Sequence, residues 1–168
     1  MSGCVRRLGA ADAALYRALR LQGLLDHPEA FAASWDHEAS MPDSWFAERL
    51  ERTTVFGSWQ DDATLTGAAG FYVQAGAKSQ HKGVLFGMFV RPEFRGRGVA
   101  ASLLARLIQH AACVVEELQL SVVTSNAAAV RLYASAGFRE YGLERRALKV
   151  GDAYHDEFLM ALAVRPTK

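Results

Sequence analysis

The chain has 168 residues, 51% of them hydrophobic and 22% charged, with a formal net charge of +1. That length and balance fit one ordinary domain with a buried core and exclude wholesale disorder, while so small a charge provides no broad field for nucleic acid or anionic membrane. The two cysteines, Cys4 and Cys113, make neither a disulfide framework nor a zinc cluster, so no metal is expected and a reducing interior suits them.

The opening Met-Ser-Gly-Cys-Val-Arg-Arg has no apolar run after its charges, which predicts no secretory signal. The longest charge-free stretch, Ala63 to Ala77, is about fifteen residues broken by glycines, short of the roughly 20 that a bilayer span needs. The expectation is a soluble cytoplasmic protein with no membrane or nucleic-acid partner. No repeat, low-complexity tract or linker divides the chain, which predicts a single domain over residues 1–168.

Cys4 to Leu8 is short and partly apolar, an expected edge strand. Asp12 is placed to cap a helix in which Ala14, Leu15, Ala18, Leu19, Gln22 and Leu25 recur at helical spacing, and His27-Pro28 ends it. Asp43 to Leu50, after Pro42, predicts a second short helix with Trp45, Phe46 and Leu50 inward. Thr53 to Trp59 is β-branched and aromatic; a polar Gln60-Asp61-Asp62 turn follows, and Gly67 to Val73 resumes strand character as in a hairpin. Lys82 to Val90, bounded by Pro92, suits a central strand in which Gly87 marks a bulge or a close backbone approach. Val99, Leu103, Leu104, Leu107, Ile108 and Ala111 trace one face of a helix. Leu118 to Val123 is a strand, and Asn126 to Ala136 is a helix closed by Gly137. Phe138 to Val150 and Ala153 to Leu162 flank a Gly151-Asp152 hairpin turn. The order β-α-α-β-β-β-α-β-α-β-β predicts an α/β mixed sheet with helices on its faces.

Chemistry concentrates in Phe89-Val90-Arg91-Pro92-Glu93-Phe94-Arg95-Gly96-Arg97-Gly98-Val99-Ala100. The segment runs from a strand through a Pro-marked turn and two glycines into an amphipathic helix. Glycines allow positive φ and a close ligand approach, and the unpaired donors of a helix's first turn favour an anion. Arg95 and Arg97 add guanidinium groups of the kind that phosphates prefer. A phosphorylated ligand is expected here. Gly96-x-Gly98-x-x-Ala101 also fits a dinucleotide-binding fingerprint, with Glu116 and Glu117 at about the required distance. However, both glutamates precede the next strand instead of ending it, and the glycines lie about six residues past theirs.

Val90-x-Pro92-x-x-Arg95-Gly96-x-Gly98-x-Ala100 resembles the acetyl-CoA signature of the GNAT superfamily of N-acetyltransferases. Asn126-x-x-Ala129-x-x-Leu132-Tyr133-x-x-x-Gly137-Phe138 resembles that superfamily's next element, in the correct order. The resemblance implies the GNAT acyl-CoA N-acyltransferase fold, a mixed and mostly antiparallel sheet with two splayed parallel strands and flanking helices. It implies acetyl-CoA as co-substrate, its pantetheine arm entering the splay like an added strand.

By the same resemblance, backbone groups of Met88 and Val90, with Phe89 between them, bind the pantetheine and polarise the thioester. N–H groups of Arg95, Gly96, Arg97, Gly98, Val99 and Ala100 hold the pyrophosphate, and Asn126 and Ala129 line the far wall. Tyr133 falls where a phenol often protonates the departing thiolate, although a packing role on an apolar helix face is the alternative. Many relatives carry a glutamate base on the central strand, whereas Val84 to Val90 has no carboxylate. Candidate bases are His27, Glu29, His37 and Glu38 in the helical cap and His155, Asp156 and Glu157 on the last strand, with Glu29 and Glu38 first. Phe31, Trp35, Trp45 and Phe46 read as core and lid packing or as a hydrophobic acceptor pocket.

The expected activity is transfer of acetyl to a primary amine by direct attack, with a small-molecule amine or amino acid as acceptor partner. Acetylation of a protein N-terminus or lysine and a non-catalytic acyl-CoA sensor are the competing functions. A homodimer joined through the C-terminal strands is a further expectation.

Overall fold

The computed structural model describes residues 3–165; Met1 and Ser2, which begin the opening segment read above, lie outside the described residues. Strand β1 is Cys4–Arg7, followed by helices α1 (Ala13–Asp26), α2 (Trp35–Ala39) and α3 (Asp43–Arg52). Strands β2 (Thr54–Trp59), β3 (Leu65–Val73) and β4 (Lys82–Val90) precede α4 (Val99–Ala111). Then come β5 (Glu117–Val123), α5 (Ala127–Ser135), β6 (Arg139–Val150) and β7 (Ala153–Ala163). The sheet order is β1-β2-β3-β4-β5-β7-β6, with β4 and β5 its parallel neighbours and the other pairs antiparallel. This is the mixed, mostly antiparallel sheet expected.

Two features of β4 open the molecule. Phe86 pairs with Gly70 and Phe89 with Ala68, so Gly87 and Met88 together stand against Ala69. Gly87 has φ +63°, the left-handed conformation that glycine accepts without a Cβ penalty, and the result is a bulge that bends the strand. Beside it, β4 and β5 pair only at Lys82–Glu117, Gly83–Leu118 and Val84–Gln119. Beyond these the two strands run on to Val90 and Val123 without pairing to each other.

Two apolar clusters cover the sheet. One joins Phe56, Phe71 and Leu85 to Leu103, Leu104 and Leu107 of α4 and to Tyr133 and Phe138 at α5. The other, on the opposite face, joins Tyr16 and Leu19 of α1 to Phe46 and Leu50 of α3 and to Phe89. Phe46 and Leu50 are 0% and 1% exposed, each contributing about 1.5–3 kcal/mol by removal from water.

Helix α1 corrects its expected face. Its buried residues are Ala13, Tyr16, Leu19, Arg20, Gly23 and Leu24, whereas Leu15 and Leu25 are exposed. The helix is turned so that Gly23 meets the rings of Phe89 and Phe31, where an added Cβ would come within 3.0 Å and 3.2 Å. Asp12 also departs from its expected role: it accepts from Gly9 N–H and from the Arg6 guanidinium instead of capping α1. Helix α2, not anticipated, is capped by Ser34, whose hydroxyl accepts from His37 N–H.

Candidate active site

The gap between β4 and β5 is a mostly apolar cleft of about 600 Å³, within the range of small-ligand sites. One wall is Met88, Phe89 and Val90 from the bulged half of β4. The other is Val123 with Ser125, Asn126, Ala129 and Leu132 of the β5–α5 corner. Gly96, Gly98, Val99, Ala100 and Ala101 form its end, and His27, Glu29 and Phe31 lie over it.

The end wall is built to take an anion. Gly98 has φ +78° and introduces α4, so the chain enters the helix with its amides turned out. The first backbone bond of that helix is Ser102 N–H to Gly98 C=O at 3.0 Å. The N–H groups from Gly96 to Ala101 have no acceptor among the described residues. Such a row of donors, at the positive end of a helix, fits a diphosphate. Asn126 caps α5 by accepting from Ala129 N–H at 3.2 Å, so its side chain is tied to the backbone of the opposite wall.

The arginines behave differently from expectation. Arg95 folds back, donating to Val90 C=O at 3.0 Å and to His27 Nε2 at 3.2 Å. The other ring nitrogen of His27, Nδ1, lies 3.6 Å from Glu29 Oε1. Arg97 does not line the cleft; it stacks on Phe94, 5.5 Å from the ring centre, and lines a second hollow against Trp59 and Asp61.

The chain belongs to the acetyltransferase (GNAT) family. Its family model matches residues 6–138, most of the chain and all of the segment just described. The GNAT chain is 38% identical over 81 residues to the ribosomal protein bS18-alanine N-acetyltransferase of Salmonella typhimurium. That match covers 48% of this chain and 55% of the relative, so the chain spans about half the length of the curated relative it matches. Among solved structures it resembles a phosphinothricin acetyltransferase from Sinorhizobium meliloti in complex with AcCoA, with TM-score 0.84 and 16% identity over 97% of this chain and 89% of that one. It also resembles the ribosomal-protein-S18-alanine N-acetyltransferase of Escherichia coli, with TM-score 0.75 and 24% identity over 99% and 96% of the two chains. At these identities the structural likeness shows the fold.

The GNAT cleft separates the candidate bases. Glu29 is on its wall, half-exposed. Glu38, its expected companion, is not: it is 2% exposed and grips Arg20 through both carboxylate oxygens at 2.9 and 3.0 Å and Arg49 at 3.0 Å. Burial pushes its carboxyl up, but the two guanidiniums outweigh that and hold it below the ordinary glutamate value. A carboxylate so held is a poor proton acceptor, which corrects its placement among the bases. Asp156 is likewise engaged, accepting from Arg146 N–H at 2.8 Å.

Glu157, also among the candidate bases, is not one of the residues that line the cleft. It pairs with Val123 on one side and with Glu144 on the other. Burial, helped by the Glu144 charge, pushes its carboxyl up. The signal was available in the sequence as the alternation along the last strand, but the register that brings two glutamates face to face was not.

Tyr133 is 5% exposed, belongs to the core cluster beside Phe138 and is absent from the cleft lining. Burial pushes its phenol far above the ordinary value, and its hydroxyl has no partner among the described residues. Of the four cap aromatics, Phe31 alone lines the cleft; Trp45 packs edge-on against Phe46 at 4.9 Å.

Proposed function

We propose that the chain transfers the acetyl group of acetyl-CoA to a primary amine by direct attack in a ternary complex. The observation that carries this reading is the junction, in one cleft, of the unpaired Gly96–Ala101 amides with the unpaired inner edges of β4 and β5. The amides suit the coenzyme's diphosphate, and the open strand edges suit the amide-bearing pantetheine arm. Neither cysteine lines the cleft, which supports direct attack over an acetyl-enzyme.

In this reading the amine loses its ammonium proton to Glu29, directly or through one water, and attacks the thioester carbonyl. The C–N bond forms, the C–S bond breaks and sulfur leaves as thiolate. As the intermediate collapses the nitrogen sheds its second proton and the thiolate takes one up through solvent, since Tyr133, the donor expected, is outside the cleft lining and burial makes its phenol a weaker acid. A small-molecule amine is the favoured acceptor. A second reading, acetylation of a protein N-terminus, is supported by the 38% likeness to the bS18-alanine enzyme.

Calorimetry with acetyl-CoA and thiol release across amines, amino acids, polyamines and an alanyl peptide test the reading together. The expected result is saturable acetyl-CoA binding and turnover with at least one small amine. Absence of binding refutes the coenzyme site; binding without turnover of any amine makes the chain an acyl-CoA sensor.

A further inference from the structure

The helical cap carries a buried charge cluster that the coenzyme chemistry leaves unused. Arg20, 6% exposed in its side chain, donates Nε and Nη2 to Glu38, and Arg49 donates to the same carboxylate. Two guanidiniums against one carboxylate leave a net positive charge. Arg20 Nη1 has no hydrogen-bond partner among the described residues, which leaves a cationic donor free to take an anion. Its position is specific: a Cβ on Gly87 would lie 3.0 Å from Nη1, so the free donor abuts the β4 bulge at the mouth of the splay. Phe31, which lines the cleft, stacks on the same guanidinium with its centre 5.1 Å away.

Beyond the β5 wall, the β7–β6 hairpin carries the opposite charge. Val122 packs into the cluster under α4, so by strand alternation Val123 faces the other side, that of α1. Glu157 pairs with Val123 and Glu144 with Glu157, so both carboxylates share that face. Like charges directly opposite are unfavourable, and neither forms an ion pair among the described residues. The arrangement is fixed: Arg145, Arg146 and Ala147 bulge against Asp156, and Arg146 adopts φ +54°, pinned by its N–H to the Asp156 carboxylate at 2.8 Å. Bulges and strained residues of this kind persist where the surroundings impose them, beside functional sites.

We infer that the acceptor is an amine carrying its own carboxylate, a free amino acid, with its carboxylate on Arg20 Nη1 at the Gly87 bulge and its ammonium against Glu157 and Glu144. The inference rests on the acetyltransferase reading and deepens it by naming the substrate class.

The test compares kcat/KM for free amino acids, their carboxamides, the amines lacking the carboxyl group and an alanyl peptide, all on the wild-type chain. The free amino acid is expected to exceed its carboxamide by roughly 10- to 100-fold, the loss attached to one charge-assisted hydrogen bond. The carboxamide's amine sheds its proton more readily, so amine basicity works against that result. Glu157→Gln is expected to raise KM for the amino acid about tenfold or more while acetyl-CoA affinity stays at the wild-type value. Equal efficiency for acid and carboxamide, or preference for the peptide or a polyamine, overturns the inference, as does unchanged KM in Glu157→Gln. Failure to bind acetyl-CoA removes the underlying reading instead, so the two failures are distinguishable.

Discussion

Glu38 and Arg97 show how far residue type underdetermines role. A glutamate in the cap reads as a base, yet between Arg20 and Arg49 it is the anionic half of a buried cluster. Removing it as Glu38→Ala leaves Arg20 buried without compensation and is expected to cost about 3–5 kcal/mol in urea unfolding. The pH dependence has a definite sign. Because the folded carboxyl lies below its unfolded value, its contribution is present above the unfolded value and disappears as pH falls through the folded one. The stability gap between wild type and Glu38→Gln should therefore be widest at neutral pH and narrow on acidification below the ordinary glutamate value. A gap that widens there would contradict the assignment. Arg97 reads as a phosphate ligand from its neighbours, but it lines the second hollow and stacks on Phe94.

At the scale of elements, the β4 bulge decides where the cleft opens, and one glycine makes it possible. Gly87→Ala must hold an L-residue at φ +63° with its Cβ 3.0 Å from Arg20 Nη1. The expected cost is about 1–2 kcal/mol, read as a lower denaturation midpoint. Gly9→Ala is the control, since its φ is −121° and an added Cβ meets nothing within 4 Å; it should change stability by less than about 0.5 kcal/mol. Equal effects of the two substitutions would remove the special status of the bulge. Helix α1 is the contrasting element. Its length was legible, but its buried face was not, because Arg20 and Tyr16 are inward through an ion pair and an aromatic contact that no apolar periodicity records.

For the whole molecule, the splay divides the sheet into β1–β4, roofed by α1 and α3, and β5-β7-β6, backed by α5, with α4 spanning β1 to β5. A coenzyme seated between the halves stabilises the folded state alone. At acetyl-CoA about a hundredfold above its Kd, the gain is about 2.7 kcal/mol. For a domain of this size that is an increase in Tm of about 5 to 10 °C. A thermal melt without such a shift would oppose the coenzyme reading.

The strands, the long helices and the turn that presents the Gly96–Ala101 amides were legible from residue order alone, because glycine, proline and apolar spacing act over a few neighbouring residues. That is also why ten of the twelve residues expected to touch the coenzyme line one cleft, with Arg97 and Tyr133 outside the lining. Which charges meet depended on packing. The Glu144–Glu157 pair depends on the register of a bulged hairpin, and the Arg20–Glu38–Arg49 cluster on the packing of three helices. Charge interactions depend on distance and burial, and neither quantity exists until the chain is folded.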